Sequence, residues 1–111
     1  MNNPKFQVFK SNLNGQYYYH LKARNGEKIL SGEGYTTKQS CLNGIASVKT
    51  NAPYDSRYDK ANGYNNYTFN LKGGNGEIIG RSENYTTSAG RDNGIAAVKS
   101  DAPNAPIEDQ A

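Results

Sequence analysis

Between Tyr17 and Arg24 the chain alternates. Tyr17, Tyr19, Leu21 and Ala23 fall on one side, and Tyr18, His20, Lys22 and Arg24 on the other. A two-residue period predicts a β-strand with one buried face. Fifty residues on, Tyr67, Phe69 and Leu71 alternate with Thr68, Asn70 and Lys72 and predict a second such strand. Each strand runs into an Asn-Gly pair, Asn25-Gly26 or Asn75-Gly76. This pair accepts positive φ and predicts a type I′ hairpin turn. The returning strands are Glu27–Glu33 and Glu77–Glu83, with Ile29 and Ile79 at matching core positions. Lys5–Lys10 predicts an earlier strand, joined to Tyr17 through Asn14-Gly15. Arg57–Ala61 is its expected counterpart, joined to Tyr67 through Asn62-Gly63.

After the third strand of each set the period changes. Ile45, Val48 and Ala52 lie on one helical stripe, as do Ile95, Val98 and Ala102. Thr36 or Thr37 caps the first turn, and Gln39 stands where it would close a capping box with Thr36. Pro53 and Pro103 stop the helices just beyond Asn51 and Asp101. Gly44 and Gly94 are the awkward positions, since glycine in a helix interior costs about 1 kcal/mol against alanine. Close approach of the helix backbone to the sheet would explain them. Two shorter helices broken at Asn-Gly are the alternative.

These patterns recur because the chain is duplicated. Tyr17–Pro53 aligns without a gap on Tyr67–Pro103, with nineteen of thirty-seven positions identical. A three-stranded sheet with one helix is a thin unit, and two of them can cover one core. The expected fold class is therefore α+β. Tandem β-β-β-α(-β) units share one mainly antiparallel sheet, with two helices on one face and pseudo-twofold symmetry. The expected organisation is a single pseudo-symmetric domain over residues 1–111, with repeat one at about 5–54 and repeat two at about 55–109. The segment between the copies, Tyr54–Arg57, is too short for a free linker. A register of fifty also sets Ile107-Glu108-Asp109 against Arg57-Tyr58-Asp59 and suggests a last strand there. Residues 1–4 and 110–111 are expected to fray.

Composition narrows the class further. Only 34% of residues are hydrophobic, but nine tyrosines supply bulk that can complete a core. No apolar run is long enough for a membrane helix or the apolar core of a secretory signal. The single cysteine excludes an internal disulfide and a cysteine-based zinc cluster. An unpaired thiol without a signal sequence fits a reducing cytoplasm. The net charge of +3 is unevenly spread. Residues 1–53 carry seven basic and two acidic side chains, and residues 54–111 carry six and eight. A basic first half can recruit anions, although no block of five like charges occurs.

The paired signatures are Asn43-Gly44-Ile45-Ala46 with Asn93-Gly94-Ile95-Ala96, and Lys49-x-x-Ala52-Pro53 with Lys99-x-x-Ala102-Pro103. With Glu33-x-Tyr35-Thr36-Thr37 and Glu83-x-Tyr85-Thr86-Thr87, they resemble the YegP-like family of small uncharacterised bacterial proteins over roughly residues 5–109. The resemblance implies repeated units whose strands form one shared sheet. It also implies that single-unit relatives assemble as dimers and that a two-unit chain is a monomer. It carries no activity, and no active-site residues, to this chain.

The residues alone assemble no catalytic constellation. His20 is matched by Asn70 and Cys41 by Arg91, so the duplication keeps neither, and no metal-ligand spacing occurs. Cys41 lies near a helix start, where a thiol can be activated, but filling space beneath the helix accounts for it. Glu27, Glu33, Glu77 and Glu83 could pair for acid–base work. Cross-strand pairing with Lys22 and Lys72 explains them more simply. No phosphate-binding glycine loop is present and no cofactor is implied. The expected role is a non-enzymatic binding module, with a protein partner as one candidate class. The alternatives are an enzyme of unrecognised type and, ahead of it, weak, salt-dependent binding of single-stranded nucleic acid through Tyr18, His20, Lys22, Arg24 and Lys28. A symmetric surface shared by the repeats is the other candidate. Beside Lys22 it would use Lys72, Glu33, Glu83, Tyr35, Tyr85, Lys49 and Lys99.

Overall fold

In the computed structural model, residues 3–111 are described. Strands β1 (Lys5–Lys10), β2 (Tyr17–Lys22) and β3 (Lys28–Ser31) lead into helix α1 (Lys38–Asn51). A 3₁₀ turn at Asp55–Arg57 opens the second set: β4 (Tyr58–Gly63), β5 (Asn66–Lys72), β6 (Ile78–Arg81) and helix α2 (Ser88–Asp101). A second 3₁₀ turn at Ala102–Asn104 precedes β7 (Ile107–Asp109). The seven strands form one sheet in the order β4-β5-β6-β3-β2-β1-β7. The repeats meet at its centre, where β3 pairs antiparallel with β6 at Ser31 and Arg81, fifty residues apart.

Both helices lie over one face, because that is where the alternating apolar side chains converge. Phe6, Val8, Tyr19, Leu21, Leu30, Phe69 and Leu71 come from the strands. Ile45, Val48 and Ala52, with Ile95, Val98 and Ala102, come from the helices and close a single cluster. Thr37 and Thr87 are the N-caps, accepting from the amides of Ser40 and Gly90. Gln39 forms no capping box; its amide donates to Asn43 one turn on.

Each helix is continuous through its Asn-Gly pair. A Cβ on Gly44 would meet the hydroxyl of Tyr35 and stand 2.8 Å from its Cζ. Gly94 and Tyr85 repeat this geometry. Tyr35 and Tyr85 lie just after the third strands, bridged to Tyr17 and Tyr67. The missing side chains make room for these two rings.

Four local expectations change. The hairpins at Asn25-Gly26 and Asn75-Gly76 are not type I′, because only the glycines take positive φ (83° and 82°). The N–H of Gly26 donates to the carbonyl of Ala23, and the Asn25 side chain accepts from the Glu27 amide. That side-chain bond holds Asn25 without a left-handed backbone. The third strands are shorter than expected, at four residues each. Gly63 pairs with Asn66, so the β4–β5 turn falls at Tyr64-Asn65, with Asn65 at φ 54°. This hairpin has a shorter loop than β1–β2, which shifts the first strands out of the fifty-residue register. Phe6 faces Leu21 and Tyr58 faces Leu71, so Tyr58 stands in the place of Phe6.

The chain after α2 forms a strand beside β1, parallel to it, with Phe6 opposite Ile107. Gln110 is held as well, its amide donating to the carbonyl of Val8. Among the expected frayed residues, 1 and 2 lie outside the described part of the chain.

Candidate functional site

The sheet face opposite the helices carries the alternate side chains. On β2 these are Tyr18, His20 and Lys22, and the neighbouring strand adds Gln7 and Phe9. Phe9 stacks on Tyr18 at 5.9 Å between ring centroids and meets His20 at 5.2 Å. His20 Nε2 lies 2.6 Å from Gln7 Oε1. The Gln7 amide donates to Glu108 on β7, which also accepts from Lys5 at 2.8 Å. A polar chain thus runs from β2 across β1 to β7. Burial holds the His20 pKa below its ordinary value, and Lys28 and Lys22 push it further the same way.

The five residues expected to act together do not all share this surface. Tyr18, His20, Lys22 and Lys28 do. Arg24 does not: it follows the bulge at Leu21/Lys22 and stands 3.2 Å from Asp101 at the end of α2. β2 ends at Lys22 and Arg24 lies in the turn beyond it, where the alternation that had placed it beside Lys22 no longer holds. Phe9 belongs to the cluster although the sequence reading passed over it. It lies two residues from Gln7 on the strand facing β2, and the β1–β2 pairing is the signal that would have found it.

Most cations on the open face already have partners. Lys28 pairs with Glu83 at 3.5 Å, Arg81 with Glu33 at 2.9 Å, and Lys72 with Asp59 at 2.5 Å. The two glutamates therefore take cations of the opposite repeat, not the expected Lys22 and Lys72. Glu33 and Glu83 follow the ends of β3 and β6, and each meets the cation offered by the other repeat across that junction. Lys22 has no carboxylate within ion-pair distance among the described residues.

The other repeat-shared residues are dispersed. Tyr35 and Tyr85 serve the helix glycines. Lys49 lies over the Phe6 ring at 5.8 Å, and Lys99 pairs with Asp55. Cys41 is fully buried, and burial pushes its thiol up to about 11, the opposite of activation. Among the described residues no cluster of three His, Cys, Asp or Glu side chains is placed to hold a metal ion. None of the described helices is long and apolar enough to cross a membrane.

The class defined here is a duplicated α+β scaffold with a mixed seven-stranded sheet, one face of it under two helices. The chain belongs to the family described as a domain of unknown function (DUF1508), which matches it twice, over residues 12–59 and 64–109. It is similar to the UPF0339 protein YegP of Yersinia pestis, 56% identical over 50 residues, which cover 45% of each chain. It is 48% identical over 60 residues to YegP of Escherichia coli strain K12, covering 54% of each. The chain spans about half the length of the curated relatives it matches. The solution NMR structure of a UPF0339 protein from Shewanella oneidensis is similar at TM-score 0.89 and 44% identity, covering 96% of this chain and 91% of that one. The solution NMR structure of yegP from E. coli, described as a protein of unknown function, gives TM-score 0.89 and 41% identity, covering 99% and 95%.

Proposed function

We propose that this protein is a non-enzymatic binding module, acting as a monomer in the cytoplasm, with the open sheet face as its ligand surface. One observation carries this reading: neither helix packs on that face, and Phe9, Tyr18 and His20 form one aromatic patch there beside Lys22. The three rings are half-buried, and such packed aromatics offer contact area at low conformational cost. The β3–β6 junction supports the monomer, since it already joins the two half-sheets within one chain. A photo-crosslinking residue at Tyr18 tests the surface, with one at Thr50 on α1 as control. A partner captured at Tyr18 alone, and lost with Phe9→Ala, supports the reading. Equal capture at both positions overturns it. Sedimentation as a dimer at micromolar concentration would overturn the monomer.

Single-stranded nucleic acid is the second reading, favoured by the Phe9–Tyr18 stack beside Lys22. Base–aromatic stacking contributes about 1–3 kcal/mol per base. Because Lys5, Lys28, Lys72 and Arg81 are held by carboxylates, few phosphates would be neutralised. The salt dependence would then be shallow. An amide NMR titration with mixed single-stranded DNA and RNA, at low and high salt, tests it. Shifts confined to Lys5–Phe9 and Tyr18–Lys28, and lost in Tyr18→Ala, support it. Their absence at low salt removes it.

A further inference from the structure

The two helix C-termini hold pseudo-equivalent polar residues, Asn51 and Asp101, each buried. Each faces a guanidinium, but by different routes. At the end of α1, Arg57 from the following 3₁₀ turn donates from Nε to Asn51 Oδ1 at 2.9 Å. Its guanidinium lies beside Gly74 of the β5–β6 hairpin. At the end of α2, the residue matching Arg57 is Ile107, which is drawn into β7. Gly74 is matched by Arg24, and this arginine reaches Asp101 from the β2–β3 hairpin.

The second arrangement is the looser one. The Asp101 side chain is only 5% exposed, whereas that of Arg24 is 67% exposed. Arg24 stands between two depressions of about 450 and 570 Å³, and both are also lined by Ser100 and Asp101. The first is also lined by Asn3 and Pro4, so the N-terminal segment borders its far side. A buried carboxylate is thus reached through open cleft where the other repeat seats an arginine. Clefts of about 300–1,000 Å³ suit small ligands or single side chains.

We infer that the cleft over Asp101 takes a guanidinium group from outside the chain, in the place that Arg57 takes at Asn51. A planar guanidinium can meet a carboxylate through two parallel hydrogen bonds. The chain's own Arg24 occupies the site as a displaceable stand-in. The group can come from a small guanidino compound or from an arginine side chain of a peptide. The open sheet face takes no part, so this inference and the proposed function stand or fall separately.

Amide NMR titrations of the full chain with agmatine, with the peptide Gly-Gly-Arg-Gly-Gly and with its lysine analogue test it. Either guanidino probe should shift Arg24 and Ser100–Ala105, and the lysine analogue should bind more weakly. Shifts with agmatine identify a small-molecule source, and shifts with the peptide alone an arginine side chain. Asp101→Asn should weaken binding at least about tenfold, since hydrogen bonds to charged groups contribute more than neutral ones. The variant should fold, because repeat one carries asparagine there. Arg24→Ala should strengthen binding by removing the competitor. No shifts with either guanidino probe, binding unchanged in Asp101→Asn, or binding lost in Arg24→Ala would each overturn the inference. The last result would make the cleft an anion site.

Discussion

Leu30 packs against Gly80, its own counterpart fifty residues on. A Cβ on Gly80 would stand 2.8 Å from Leu30 Cδ2. The two residues lie on β3 and β6, the strands that join the repeats. Near a pseudo-twofold axis a side chain and its symmetry mate compete for the same space. The chain resolves this by keeping one leucine and deleting the other side chain. Exact symmetry is therefore broken where the copies meet, and it need not be broken at their outer strands. There, Phe6 against Tyr19 and Tyr58 against Phe69 form the same edge-on contact with the phenol exchanged.

Gly80→Leu should therefore destabilise by about 1–3 kcal/mol through overpacking. Leu30→Ala should cost about 2–5 kcal/mol through the cavity it leaves. The double variant, Leu30→Ala with Gly80→Leu, should be more stable than Gly80→Leu alone, because only one large side chain then remains at the junction. Urea denaturation of the three variants measures the coupling. Additive effects would mean that the two positions do not share a space.

The helix glycines follow the same logic. Gly44→Ala and Gly94→Ala would each raise helix propensity by up to about 1 kcal/mol in isolation. Here each should instead destabilise by about 1–3 kcal/mol, since the added methyl meets Tyr35 or Tyr85. Combining Gly44→Ala with Tyr35→Phe should recover part of the loss, because the hydroxyl is the nearest atom. Thermal melts showing a gain in stability for Gly44→Ala would refute the contact.

The strands and helices could be read from the chain because their signals are local: a period of two, a period of 3.6, a Thr-Thr pair to cap each helix, Pro53 and Pro103 as stops. The duplication states each of these signals twice, at matched positions. Before Tyr17 the copies no longer align, so the offset that puts Tyr58 in the place of Phe6 could not be seen. The open-face cluster was legible on β2 alone; Phe9 and Glu108 join it only through strand pairing. Arg24 was placed by alternation, but the strand ends at Lys22 and Arg24 already belongs to the turn. Positions 24 and 101 both change chemistry between the copies, from Gly74 to Arg24 and from Asn51 to Asp101, as a new ion pair requires.

Cys41 should be inert in the native protein. Burial pushes its thiol up to about 11, against about 8.5 for a free thiol. Iodoacetamide at pH 8 should label it slowly when folded and quickly in denaturant. The native state holds this proton more tightly than the unfolded chain. Its contribution to stability is therefore complete below about pH 8.5 and lost as pH rises towards about 11. Rapid native labelling at pH 8 would show that the helix does not seal it.

His20 titrates in the opposite sense. Its folded pKa lies below its ordinary value near about 6.5, through burial first and Lys28 and Lys22 next. The unfolded chain binds this proton more readily, so stability should fall as pH drops from about 6.5 to the folded pKa, then level off. His20→Asn, which copies Asn70, should flatten that part of the profile. The imidazole midpoint from NMR should lie below about 6.5, and a midpoint at or above it would contradict the desolvated site.

Acid should release β7 before the rest of the sheet. Hydrogen bonds from Lys5 and Gln7 depress the Glu108 pKa. The Ala111 amide and Lys38 depress that of Asp109. Carboxylates with lowered folded pKa values stabilise above their unfolded values, and that contribution is lost as pH falls through the folded ones. These side chains tether a strand of only three residues, so its local opening should track their protonation. Protection factors should drop first at the amides of Phe6 and Gln110, which bond to Pro106 and Val8 across the β1–β7 pair. The amide of Gly32, bonded to Tyr19 in the middle of the sheet, should stay protected over the same range. Glu108→Gln should expose Phe6 and Gln110 already at neutral pH. Simultaneous loss at all three amides would mean instead that β7 unfolds only with the whole sheet.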